Sequence, residues 1–172
     1  MSLRTIVASL MACFLAFVSP VSALNVDSYL SVGVEKSQAG DYRGALIEFN
    51  KAIELDPENA NAYQYRGVAK AKYGDFEGSI IDYSRSIELD SMSSTTYGSR
   101  GIAKARSGDV AGAILDFDVA IQMNPEDGMA YFNHGMAMEM LNDLQRACLD
   151  WNKAAQLGYS QSVTFKRKYC KN

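Results

Sequence analysis

From residue 25 onward, apolar and polar positions follow one another on two scales. Over short stretches, apolar and small residues return every three or four positions, which is the spacing of one face of an α-helix. Over longer ones the whole pattern returns every 34 residues. "AGDYRGALIEFNKAIELDP" (39–57) is followed by "YGDFEGSIIDYSRSIELDS" (73–91), "SGDVAGAILDFDVAIQMNP" (107–125) and "LNDLQRACLDWNKAAQLGY" (141–159), without insertion or deletion. Each period therefore predicts two helices. The break between them falls at Gly40-Asp41, Gly74-Asp75, Gly108-Asp109 and Asn142-Asp143. Gly and Asn are the residues that best tolerate the left-handed backbone ending a helix. Pro57 and Pro125 separate one period from the next. Ser91 replaces that proline before the polar stretch "SMSSTT", where a softer joint is expected.

With repeats starting at Val26, Ala60, Ser94 and Gly128, four copies fill residues 26–59, 60–93, 94–127 and 128–161. Position 8 is Gly33, Gly67, Gly101 and Gly135. Position 4 is tyrosine throughout, and position 24 is Phe49, Tyr83, Phe117 and Trp151. Positions 20 and 27 are Ala or Ser in every copy. Small residues let helices approach, and the aromatics fill the space between them.

These columns resemble the tetratricopeptide repeat family over all four copies, in register and at the family's 34-residue period. The resemblance implies an all-α solenoid whose first helices line a concave groove, and a protein that binds peptides or partner segments without catalysis. Groove-facing positions in that family are mainly 2, 5, 9, 12 and 13. On that basis the candidate partner-binding residues are Leu30, Val34, Gln64, Val68, Lys72, Ile102, Arg106, Phe132 and Met136. Val34, Val68, Ile102 and Met136 share position 9 and would align into an apolar strip, with packing against neighbouring repeats as the alternative. The fourth repeat is rich in adaptable methionine. Members that clamp a chaperone's C-terminal carboxylates use lysine at position 5 and asparagine at position 9. Neither occurs in those columns here, so that partner class is excluded.

The chain departs from the family at position 7 (Val32, Arg66, Arg100, His134) and position 11 (Lys36, Lys70, Lys104, Met138). Position 23 is acidic throughout: Glu48, Asp82, Asp116 and Asp150. Charge next to a core is costly unless paired, so Arg66, Arg100, Asp82 and Asp116 are expected to form a ladder between helices. The competing reading is a charged ligand held by Arg66 and Arg100. His134 is the chain's one histidine, without metal partners or a triad, and reads as structural.

The two ends differ from the repeats. Residues 1–23 carry a single charge, Arg4, ahead of an apolar run, and end in small residues. This is the build of a secretory signal peptide. A retained anchor and a lipoprotein box at Leu10–Cys13 are the alternatives. Removal of residues 1–23 leaves 16 basic and 20 acidic side chains, a net charge of −4. That argues against nucleic-acid binding, which wants a basic face. The exported compartment would be periplasm, a thylakoid lumen or the exterior. Cys148 and Cys170 then remain as a candidate disulfide, with two reduced buried thiols as the other possibility. Residues 162–172 read as a capping helix and tail, with Val163 and Cys170 on its inner face.

Nothing in the sequence provides a nucleophile with its base, a metal cluster or a phosphate loop, so no catalysis, cofactor or metal is expected. The expected function is a protein-interaction adaptor or assembly factor outside the cytoplasm, a monomer or a weak self-associator without a membrane span once the signal is removed. The alternative is a self-associating structural protein or a regulatory subunit of an exported complex.

Overall fold

The structure, a computed structural model, describes residues 25–170. The expected signal peptide, its anchor and lipoprotein alternatives, and the last two residues of the tail lie outside the described residues. The described chain is all helical. Four antiparallel pairs follow one another: α1 (Val26–Gln38) with α2 (Tyr42–Leu55), α3 (Ala60–Tyr73) with α4 (Phe76–Leu89), α5 (Ser94–Ser107) with α6 (Val110–Met123), and α7 (Gly128–Met140) with α8 (Leu144–Gln156). α9 (Ser160–Tyr169) closes the stack.

Local chemistry sets the boundaries within and between the four pairs. Gly40, Gly74, Gly108 and Asn142 end the first helix of each pair with positive φ, Asn142 at 67°. The next residue, Asp41, Asp75, Asp109 or Asp143, caps the second helix by accepting the backbone N–H three residues on. Between pairs an Asx turn reverses the chain: the Glu58 and Glu126 amides donate to Asp56 and Asn124 at 3.2 and 3.3 Å. At the proline-less joint the Met92 amide donates to Asp90 at 3.0 Å, so the same turn forms without proline.

Within each pair the position-24 ring packs directly against the position-8 glycine. A Cβ on Gly67 would come within 2.8 Å of Tyr83, one on Gly101 within 2.7 Å of Phe117, and one on Gly135 within 2.8 Å of Trp151. Gly33 meets Phe49 in the same way. Ala45, Phe49, Ala52, Ala113, Phe117, Ala120, Ala147, Trp151 and Ala154 have 1% or less of their surface exposed, so the core is a continuous row of such contacts. First helices of successive repeats also touch each other directly, and the second helices lie outside them.

α9 covers the last pair through a face different from the one expected. Val163 is 45% exposed, whereas Cys170, just past the helix end, does reach the last pair. Phe165 and Tyr169 turn inward instead, their ring centroids 5.4 and 5.6 Å from that of Trp151. Cys148 and Cys170 are joined by a disulfide, with Cα atoms 5.6 Å apart.

Three expectations follow for urea unfolding. Gly101→Ala should lower stability by roughly 1–3 kcal/mol through overpacking. Gly98→Ala, with open space around it, should raise stability by up to about 1 kcal/mol. Cys148→Ala should cost about 3 kcal/mol, the loop entropy that the bridge removes from the unfolded chain, and should expose Trp151 to fluorescence quenchers.

Candidate functional site: a chain of depressions on the concave face

Three depressions lie in a row along the first helices, each shared by two neighbouring repeats. The first, of about 210 Å³, lies between Val34 and Val68 with Phe49 as its floor and Tyr65 as a wall. The second, about 190 Å³, lies between Val68 and Ile102 over Tyr83. The third, about 290 Å³, lies between Ile102 and Met136 over Phe117. Val68 and Ile102 are therefore the partitions between adjacent depressions. The ring that rests on each repeat's glycine is also the floor of the depression above it. Burial pushes the Tyr83 phenol up to about 12, with its Ser99 hydrogen bond opposing and Asp82 adding to the shift.

Four repeats make three depressions because the fourth ring, Trp151, is covered by Phe165 and Tyr169. Position 13 borders the series with Gln38, Lys72, Arg106 and Met140. Lys72 and Arg106 are the charged residues among those lining the three depressions, and no carboxylate joins them. The Arg106 guanidinium lies 5.1 Å from the Phe76 ring centroid.

Of the candidate groove residues, Val34, Val68, Lys72, Ile102, Arg106 and Met136 thus come together on one surface. Leu30 does not: it is buried in the core of the first pair with Ala45 and Phe49. Phe132 is 7% exposed and packs against Phe165 and Tyr159 at 5.2 and 5.1 Å, so it only edges the third depression. Gln64 stands outside the depressions and donates to Thr95 at 3.3 Å. The position-6 residues Tyr65, Ser99 and Asn133 also border the depressions, while the position-24 rings lie beneath them in the core, as the sequence pattern expected, at no more than 2% exposure.

The charged columns form an internal ladder. Arg66 grips Asp82 through two bonds of 2.8 and 2.7 Å and sends its third nitrogen to Asn50 of the preceding repeat at 2.8 Å. Arg100 repeats this with Asp116 (2.9 and 2.7 Å) and Ser84 (3.1 Å). Lys70 and Lys104 complete these rungs at 2.8 and 2.9 Å. In the first repeat Lys36 and Lys51 share Glu48, and their hydrogen bonds hold its carboxyl below the usual range. In the fourth, His134 meets Asp150 at 2.7 Å and Asp118 of the preceding repeat at 3.4 Å. The expected ladder is thus present: each guanidinium nitrogen of Arg66 and Arg100 donates within the protein, to Asp82 and Asn50 or to Asp116 and Ser84. Among the described residues no group of three or more His, Cys, Asp or Glu is placed to hold a metal.

Asp82 has only 2% of its side chain exposed and two cations on it. Asp82→Asn should cost about 3 kcal/mol, the lower end for a broken buried pair, since Arg66 and Lys70 keep part of their side chains in water. Chemical denaturation checks this. Glu88→Gln on the exposed Arg85 pair should stay within about 0.5 kcal/mol of the parent.

Two family models match the chain, one described as TPR repeat over residues 36–74 and one as Tetratricopeptide repeat over residues 99–162, together more than half of its length. No curated protein matches the sequence. Solved structures of like fold include MamA (24% identity, TM-score 0.74, 81% of each chain). YrrB, described as a TPR protein with an unusual peptide-binding site, aligns at 19% identity and TM-score 0.75, over 83% of this chain and 74% of its own. The first TPR of Spaghetti (RPAP3) bound to HSP90 peptide SRMEEVD aligns at 18% identity and TM-score 0.67, over 70% of this chain and 95% of its own. In fold, period and matched models alike, the chain belongs to the tetratricopeptide repeat family.

Proposed function

We propose that the protein is a non-catalytic interaction module that holds a segment of a partner protein along its concave face, outside the cytoplasm. One observation carries this reading: three depressions of similar size lie in a row, separated by the single side chains Val68 and Ile102. Such a row accepts apolar side chains at regular intervals from an extended or helical segment. The chain is acidic overall, at −3, yet the charges lining this surface are Lys72 and Arg106. The segment that fits is therefore apolar and bears acidic residues beside its anchors. Position 5 supplies Leu30, Gln64, Gly98 and Phe132 rather than lysine, so a C-terminal carboxylate clamp is not the mode of capture. Two of the structures of like fold have peptide binding in their descriptions, which supports a peptide as the class of ligand.

Export is supported by the build of residues 1–23 and by the Cys148–Cys170 bridge, which suits an oxidising compartment. No helix among the described residues is long and apolar enough to cross a membrane.

The test is a crosslinking pull-down from the native exported fraction, using the protein beside Val68→Glu, Ile102→Glu verified as folded by circular dichroism. The parent should recover a partner that the variant loses by at least tenfold. Equal recovery by both would move the binding site off this face.

A further inference from the structure

The outer face carries a second apolar column, at position 22. Ile47, Ile81, Leu115 and Leu149 are 55%, 68%, 66% and 64% exposed, one from the second helix of each repeat. Position 22 lies two residues from both core columns of that helix, 20 and 24, and so roughly 200° away from each. These side chains contribute nothing to the core, yet all four copies keep a large aliphatic there. Singly exposed leucines are ordinary, but a periodic row of this size marks a contact surface.

What covers the ridge can be argued from the rest of the chain. The concave face has depressions once per repeat, and the ridge has knobs once per repeat, so the two surfaces share a period. One is convex and the other concave. Both are aliphatic along their midline. Their charges also oppose. At the centre of the ridge, Arg85 is neutralised by Glu88 at 3.0 Å, leaving exposed Glu77 and Asp118 in repeats two and three. His134 approaches Asp118 at 3.4 Å, but the Asp118 side chain remains 61% exposed. At the centre of the groove stand Lys72 and Arg106, from the same two repeats. Ridge against ridge is disfavoured. An antiparallel two-fold pairing brings repeat one against repeat four, and so Arg43 against Lys153, Lys51 and Arg146 being already held by Glu48 and Asp143.

We infer that the ridge of one copy docks into the groove of a second copy, in register, with Glu77 and Asp118 facing the second copy's Lys72 and Arg106. The inference rests on the groove being a docking surface, as proposed above. Such a contact joins two different faces and leaves one of each free, so it adds copies without closing. The exposed aliphatic surface falls short of the ~800 Å² per partner of a stable interface, so association is reversible and competes with capture of a foreign segment. Stacking then stores the groove in a covered state that an acidic, apolar segment displaces.

The test is sedimentation equilibrium of the purified protein up to ~1 mM, a range that reaches weak association, at low and high salt. Three samples are compared: the parent, a ridge variant (Ile81→Glu, Leu115→Glu) and a groove variant (Val68→Glu, Ile102→Glu). The parent's average mass should rise with concentration and fall back in 0.5 M salt, as roughly expected for screened charge pairs. Each variant alone should stay at the monomer mass. An equimolar mixture should reach twice that mass and stop, since the ridge variant keeps a groove and the groove variant keeps a ridge. Formation of that capped pair also shows that both variants are folded. A parent that remains monomeric, a ridge variant that associates like the parent, or a mixture that stays monomeric while the parent grows would each overturn the inference. The reading of the groove as a site for a foreign partner would survive any of these, because the pull-down tests it separately.

Discussion

The contact between a backbone glycine and an aromatic ring, made once in every repeat, is the constraint on which the structure rests. A ring lying on a helix with no side chain in the way brings two helices closer than any other residue would allow. The neighbouring repeat then covers the ring, so that Phe49, Tyr83 and Phe117 are no more than 2% exposed, and a shallow depression remains above each. The surface available for binding is in this sense a by-product of how the pair is packed. Where a partner surface is not wanted, at the end of the stack, α9 covers Trp151 with two more rings and a disulfide fixes it there.

The charge ladder does a different job. Glycine and alanine contacts bring helices together but do little to choose register, because small residues fit small residues at several offsets. A bidentate arginine fits one geometry only. Arg66 and Arg100 each bond the acid of their own repeat and a short polar side chain of the preceding one. The ladder thus links repeats as well as helices. It also pairs Lys70, Lys104 and both arginines with carboxylates, which leaves Lys72 and Arg106 to set the charge of the groove in an acidic protein.

Most of the fold was legible in the sequence because each repeat restates it. Four copies in register make chance agreement of the glycine, aromatic and turn columns untenable, and the acidic column facing a basic one announced its own pairing. Legibility failed where a residue's environment depends on which repeat it sits in. Leu30 has the family's groove position but packs in the core of its own pair with Ala45 and Phe49. Val163 was expected inward from its seven-residue spacing to Cys170, but Phe165 and Tyr169 fill the inner face of α9. The row at position 22 was present in the sequence as four large aliphatics. Its exposure follows from helix geometry, but attention to the inner face of the solenoid passes over it.

The central claim is that the row of depressions between first helices is where another chain sits. Placing a photoreactive amino acid at Ser99, on the wall of the middle depression, tests it most directly, with one at exposed Gln122 on the outer face as the comparison. Irradiation in an extract of the native organism, followed by sequencing of the crosslinked peptide, identifies what each site touches. The account predicts crosslinks from Ser99 to a short stretch with large apolar residues next to acidic ones, whether from a foreign protein or from the ridge of another copy. Crosslinks from Gln122 with none from Ser99 would contradict it.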